Sequence, residues 1–80
     1  MYCVYIIFSE VLSKYYTGQT NNIDDRLRRH NNGLSSSTKS GKPWVLIYKI
    51  EFKTRSEAML LELKIKKRGA QRYLTDIGFF

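Results

Sequence analysis

Eighty residues suffice for one domain with a single modest core, too few for a catalytic unit plus a separate targeting unit, so residues 1–80 read as one domain. Hydrophobic residues at 42% and aromatic residues at 14% exclude a disordered tail. Fourteen Lys and Arg against seven Asp and Glu give a net charge of +7, which favours a polyanionic partner through long-range attraction and counterion release.

The chain opens on Tyr2 to Phe8, a run of aromatic and β-branched residues that reads as a strand. This run is too short to span a bilayer and has no basic leader, so no membrane role is expected. Cys3 is the only cysteine, which rules out an internal disulfide and a thiolate zinc cluster and fits a reducing, cytoplasmic setting. A polar connection around Ser9 to Lys14 leads to a second strand from Tyr15 to Thr20, completing a hairpin. Alternation sets Val4, Ile6 and Phe8 on one face and Cys3, Tyr5 and Ile7 on the other, and it gives Tyr16, Gly18 and Thr20 a common face. Tyr5 and Tyr16 are therefore expected on the same side. Gly18 marks either a bulge or a close approach by another group.

Asn21 and Asn22 are N-cap candidates for a helix from Ile23 to about Asn32, with Asp24 and Asp25 suiting its positive end and Gly33 its exit. Ile23 and Leu27 form its apolar stripe, and Arg26 and His30 lie on the stripe's edge, one turn apart. Leu34 to Pro43, rich in Ser, Thr, Gly and Lys, carries the signals of a mobile loop, where Lys39 and Lys42 with the neighbouring hydroxyls can touch phosphates, although a solvated linker is the plainer role. Trp44 to Phe52 reads as a third, well-buried strand. Thr54 and Glu57 form a capping box that starts a helix with an apolar stripe of Ala58, Leu61 and Ile65. Glu62 sits on the margin of that stripe, and Lys64, Lys66, Lys67 and Arg68 crowd the last turn before Gly69. Ala70 to Ile77 reads as a short final helix.

Five of these residues match the needs of phosphodiester cleavage, which requires an activated water, a cation for the developing charge and a route for protons. Glu62 suits one Mg²⁺, an ion that keeps most of its water and takes one or two protein carboxylates plus substrate oxygens. Arg26 suits the scissile phosphate as a planar fork of donors. Either Tyr5 or Tyr16 can accept the water's proton once its phenol is acidified, and His30 can relay that proton or bond the phenol. Each residue has a plainer role as well. Strand tyrosines pack half-buried, Arg26 can bond Asn22, and Glu62 can pair with Lys66 at i, i+4.

Cys3-Val4-Tyr5 and Tyr16-Thr17-Gly18 on a hairpin, Arg26 and His30 on the next helix, and Glu62 on a later one together resemble the GIY-YIG nuclease family. The likeness extends to Thr17-Gly18-Gln19-Thr20-Asn21 and to Arg55-Ser56-Glu57-Ala58 through Lys67, and is nearest the short, stand-alone YhbQ-like members related to the N-terminal domain of a DNA-repair excinuclease. It implies an α+β fold, a small three-stranded antiparallel sheet flanked by helices. It also implies a DNA endonuclease site that uses Mg²⁺ or Mn²⁺, with Tyr5, Tyr16, Arg26, His30 and Glu62 as catalytic residues and Glu62 as the metal ligand. Cys3, Val4 and Thr17 stand at the motif's first glycine and its two isoleucines, and no asparagine follows Glu62, where several active relatives carry one late in the chain.

The expected activity is metal-dependent DNA cleavage with little sequence preference, helped by a protein partner or by homodimer formation. Two rivals stand beside it. One is a catalytically weak nucleic-acid-binding module that uses Lys64, Lys66, Lys67, Arg68 and Arg72 with exposed aromatics to track phosphates. The other is a protein-interaction domain whose charge serves only solubility.

Overall fold

The computed structural model describes all of residues 1–80. Strands β1 (Tyr2–Ser9) and β2 (Lys14–Thr20) form the hairpin, and helix α1 (Ile23–Asn31) follows. A 3₁₀ turn (Lys39–Gly41) then precedes strand β3 (Trp44–Phe52), helix α2 (Arg55–Arg68) and helix α3 (Ala70–Asp76). The three strands make one antiparallel sheet in the order β2-β1-β3.

β1 is apolar on both faces because it is central and covered on both sides. Val4 and Ile6 pack against Ala58 and Ile65 of α2 and Tyr73 and Leu74 of α3. Cys3, Tyr5 and Ile7 point the other way, into a second cluster with Trp44, Tyr16, Leu46 and, from α1, Ile23 and Leu27. Each such side chain, fully removed from water, contributes about 1.5–3 kcal/mol by area. The alternation read from the sequence is thus the division between two small cores.

The local start signals hold. The Asn22 side chain accepts from the Asp25 backbone N–H at 3.1 Å, and the Thr54 hydroxyl accepts from the Glu57 N–H while donating to its carboxylate at 2.8 Å. Gly69 ends α2 with φ of +96°, a conformation that favours glycine. One expectation needs correction. β3 is an edge strand, with Val45 and Ile50 exposed, because only β1 pairs with it and no helix covers its whole length. The Leu34–Pro43 stretch, expected as a loop, contains the 3₁₀ turn and buries Thr38 and Gly41. The Trp44 indole N–H donates to the Thr38 carbonyl at 2.8 Å. Asn31 clamps the Trp44 backbone by donating to its carbonyl at 3.1 Å and accepting from its N–H.

Candidate active site

Register builds the site first. Tyr5 lies opposite Gly18, and Ile7 opposite Tyr16, in an unbroken β1–β2 ladder, so Gly18 is not a bulge. It is instead a close approach: a β-carbon at position 18 would fall 2.5 Å from the Tyr5 hydroxyl. The missing side chain lets the phenol lie across the neighbouring strand and reach α1. There its hydroxyl bonds His30 Nε2 at 2.9 Å.

The imidazole continues the chain inward. His30 is fully buried, and its Nδ1 sits 2.6 Å from Thr38 Oγ1, whose hydroxyl donates to the Ser35 carbonyl at 3.4 Å. A hydroxyl that spends its proton on Ser35 must accept from Nδ1–H, which leaves Nε2 bare to accept the Tyr5 proton. The hydrogen-bond network therefore assigns the neutral Nδ1–H tautomer. Burial, and then the Arg26 charge, hold the imidazole below its usual value of 6.5. Burial, followed by the neighbouring Tyr16, pushes the Tyr5 phenol well above its ordinary value of 10.0.

Tyr16 is half-buried and packs edge-on against His30, with ring centroids 5.2 Å apart, and also lies 6.5 Å from the Tyr5 ring and 6.3 Å from Trp44. Arg26 is exposed. Whereas Arg28 and Arg29 both pair with Asp25, the Arg26 guanidinium enters no ion pair, and the Asn22 side chain is spent on the helix cap. Glu62 projects from α2 and pairs with Lys66 at 3.0 Å, as its plainer role predicted. Arg26 and Glu62 both act through space on the Tyr5 phenol, the one lowering and the other raising its proton affinity. The structure thus puts Tyr5, Tyr16 and His30 in direct contact and sets Arg26 and Glu62 within electrostatic reach, without a bond to any of the three.

Thr38 and Trp44 complete this cluster and were not singled out for it by the sequence. Thr38 sits in a Ser/Thr-rich run whose composition signals only a loop, and nothing local marks one hydroxyl among five as buried. The basic residues separate by place. Lys66, Arg68 and Arg72 line a groove shared with Lys14, whereas Lys64 and Lys67 border a different hollow beside Tyr73 and Asp76. Lys39 and Lys42 lie exposed on the Leu34–Pro43 loop.

Comparison with known proteins identifies the family and agrees with the fold. The GIY-YIG catalytic domain family matches residues 1–73. A UPF0213 protein of Staphylococcus haemolyticus is 42% identical over 63 residues, covering 78% of this chain and 77% of the relative. One from Bacillus licheniformis is 37% identical over 65 residues, covering 76% and 67%. The solution NMR structure of a UPF0213 protein from Bacillus halodurans superposes with a TM-score of 0.58 at 28% identity, over 98% of this chain and 86% of that one.

Proposed function

The chain belongs to the GIY-YIG family, and from that premise we propose that it is a metal-dependent endonuclease that hydrolyses DNA phosphodiesters with little sequence preference. The observation that carries this reading is the buried Tyr5–His30–Thr38 chain, abutted by the half-buried Tyr16 and overlooked by the unpaired Arg26 and by Glu62. Holding a neutral histidine and a tyrosine in a fixed, dry arrangement costs desolvation, which a purely structural core avoids with apolar residues.

The two tyrosines divide the work. Tyr5 is buried, bonded to His30 and reluctant to ionise, so its proton stays on the phenol. Tyr16 retains access to solvent and, as its phenolate, takes the attacking water's proton as the new P–O bond forms and the P–O bond to the leaving sugar oxygen breaks, that oxygen taking its proton from solvent water. Tyr5 and His30 form the rigid wall that orients it. Arg26 grips the scissile phosphate with its open fork and stabilises the charge that builds there.

The family implies a divalent metal, and the residues fit one of a particular kind. No group of three His, Cys, Asp or Glu side chains gathers anywhere in the chain, which suits no ion that needs a full protein cage. Glu62 alone fits Mg²⁺ or Mn²⁺ held by one carboxylate, with water and substrate oxygens as the other ligands. Bound there, the ion would neutralise charge on the phosphate and favour ionisation of a nearby phenol or water.

Supercoiled plasmid incubated with Mg²⁺, with Mn²⁺ and with chelator tests the reading. Metal-dependent nicking is expected, lost by about 10²-fold or more in Arg26→Ala, Glu62→Ala and Tyr16→Phe. Metal-independent nicking, or nicking that survives in Glu62→Ala, defeats it. Salt-sensitive binding with no cleavage by the parent protein supports the binding-module alternative, which the absence of an asparagine after Glu62 favours.

A further inference from the structure

The largest concavity in the molecule is not at the tyrosine–histidine cluster but beside it. A groove of about 690 Å³ runs between the start of β2 and the α2–α3 junction, with Lys14, Tyr15 and Tyr16 on one wall and Lys66, Arg68 and Arg72 on the other. No carboxylate lines it. Arg68 is held in place by a bidentate pair with Asp76 at 2.8 and 3.1 Å, while Lys14 and Arg72 enter no ion pair. Asp76 and Glu62, outside the groove, balance Arg68 and Lys66, which leaves Lys14 and Arg72 as two uncompensated cations on its opposite walls, an arrangement that an anion in the groove relieves.

Two residues join the groove to the site already described. Tyr16 lines the groove and packs on His30, and Lys66 lines it while holding Glu62 at 3.0 Å. An anion in the groove is therefore continuous with one at the catalytic residues. We infer that the groove is a subsite for the phosphates next to the scissile one in a polynucleotide strand, with Lys14, Lys66 and Arg72 as the contacts. This deepens the proposed nuclease reading and rests on it. Lys14 and Arg72 approach the strand from opposite walls, so they fix the direction in which it leaves Tyr16 without reading its bases. The half-buried Tyr15 adds a ring at the rim, packed 4.8 Å from Phe8.

The test is a fluorescence-anisotropy titration of the intact protein, in chelator, with a labelled single-stranded oligonucleotide over a salt series. The paired substitutions Lys14→Ala and Arg72→Ala are compared with Lys64→Ala and Lys67→Ala, which remove the same charge from outside the groove. The first pair is expected to weaken binding tenfold or more at low salt. It is also expected to flatten the dependence of log K on log salt by about 1.4, at about 0.7 per lost phosphate contact. The second pair is expected to stay within twofold of the parent. Equal losses from both pairs, no loss from the first, no binding by the parent, or displacement by poly-glutamate as effective as by unlabelled oligonucleotide would each overturn the inference. Because chelator removes turnover from the measurement, a parent that binds in this pattern but nicks no plasmid defeats the nuclease reading alone.

Discussion

The Tyr5 hydroxyl occupies the space where the side chain of residue 18 would begin: a β-carbon there would lie 2.5 Å from the oxygen and 2.7 Å from the ring carbon that bears it. Tyr5 has no room to retreat, being buried and bonded to His30 at 2.9 Å. Gly18→Ala is expected to destabilise the protein by about 1–3 kcal/mol through overpacking and to cost about 10²-fold in cleavage by shifting the phenol. Tyr5→Leu should relieve the crowding. In a double-mutant cycle on thermal stability, the pair should therefore cost less than the sum of the two singles, by about 0.5–3 kcal/mol. Strict additivity would show that the two positions do not meet.

Thr38 fixes the tautomer on which the Tyr5–His30 bond depends. Thr38→Val keeps the shape but removes the acceptor for Nδ1–H, leaving a buried donor unpaired at a cost of about 1–3 kcal/mol. Thr38→Ser keeps the hydroxyl and should retain most activity. The ¹⁵N shifts of this single histidine should report a protonated Nδ1 and a bare Nε2 in the parent and in the Ser variant, and a mixture in the Val variant. A parent protonated at Nε2 would reverse the direction of the whole chain.

Where the sequence was readable, the controlling interactions were short in range. The Thr54–Glu57 box, the Asn22 cap and the alternation along β1 depend on neighbours within a turn or across a hairpin, and each stands as expected. Thr38 was out of reach because its burial depends on His30 eight positions earlier and on the Trp44 indole, neither of which its own Ser-rich surroundings reveal. Lys14 was equally hidden, since its groove exists only once the α2–α3 junction folds back beside β2. β3 misled for a related reason: an apolar run states that a strand forms, but its place at the sheet edge is set by which partner strands remain available.

Acid should weaken the fold through His30 before it reaches the carboxylates. The native state holds this imidazole below 6.5, facing Tyr5, Tyr16, Thr38 and the Arg26 charge, while the unfolded chain protonates at the ordinary value. Below pH 6.5 the unfolded state therefore binds more protons, and unfolding free energy falls as the pH falls, until the lowered native value is passed; above 6.5 the group contributes nothing. Asp25 and Asp76, held under 3.8 chiefly by hydrogen bonds from Arg28 and Arg68, add their losses at lower pH. Melting curves between pH 7.5 and 5 should show the parent losing more stability than His30→Gln, which bonds but does not titrate in that window (about pH 5–7.5). Parallel curves would place the imidazole in contact with water.

If Glu62 holds the proposed metal, the Lys66–Glu62 ion pair sets how much of it cleavage needs. With its nitrogen 3.0 Å from the carboxylate and its own side chain half in water, Lys66 would compete with such an ion for Glu62. Surface pairs at i, i+4 are worth only about 0.3–0.5 kcal/mol, but the lysine charge also repels a dication directly. Lys66→Ala should therefore lower the half-saturating Mg²⁺ concentration for cleavage about two- to fivefold, a shift that corresponds to about 0.4–1 kcal/mol. The same substitution should raise KM for the oligonucleotide, because the groove loses a cation. Glu62→Gln keeps the shape, loses the charge and should abolish the metal response at every concentration. A Lys66→Ala protein that demands more Mg²⁺ than the parent would mean that the lysine recruits the substrate phosphates the ion binds, rather than competing with the ion for Glu62.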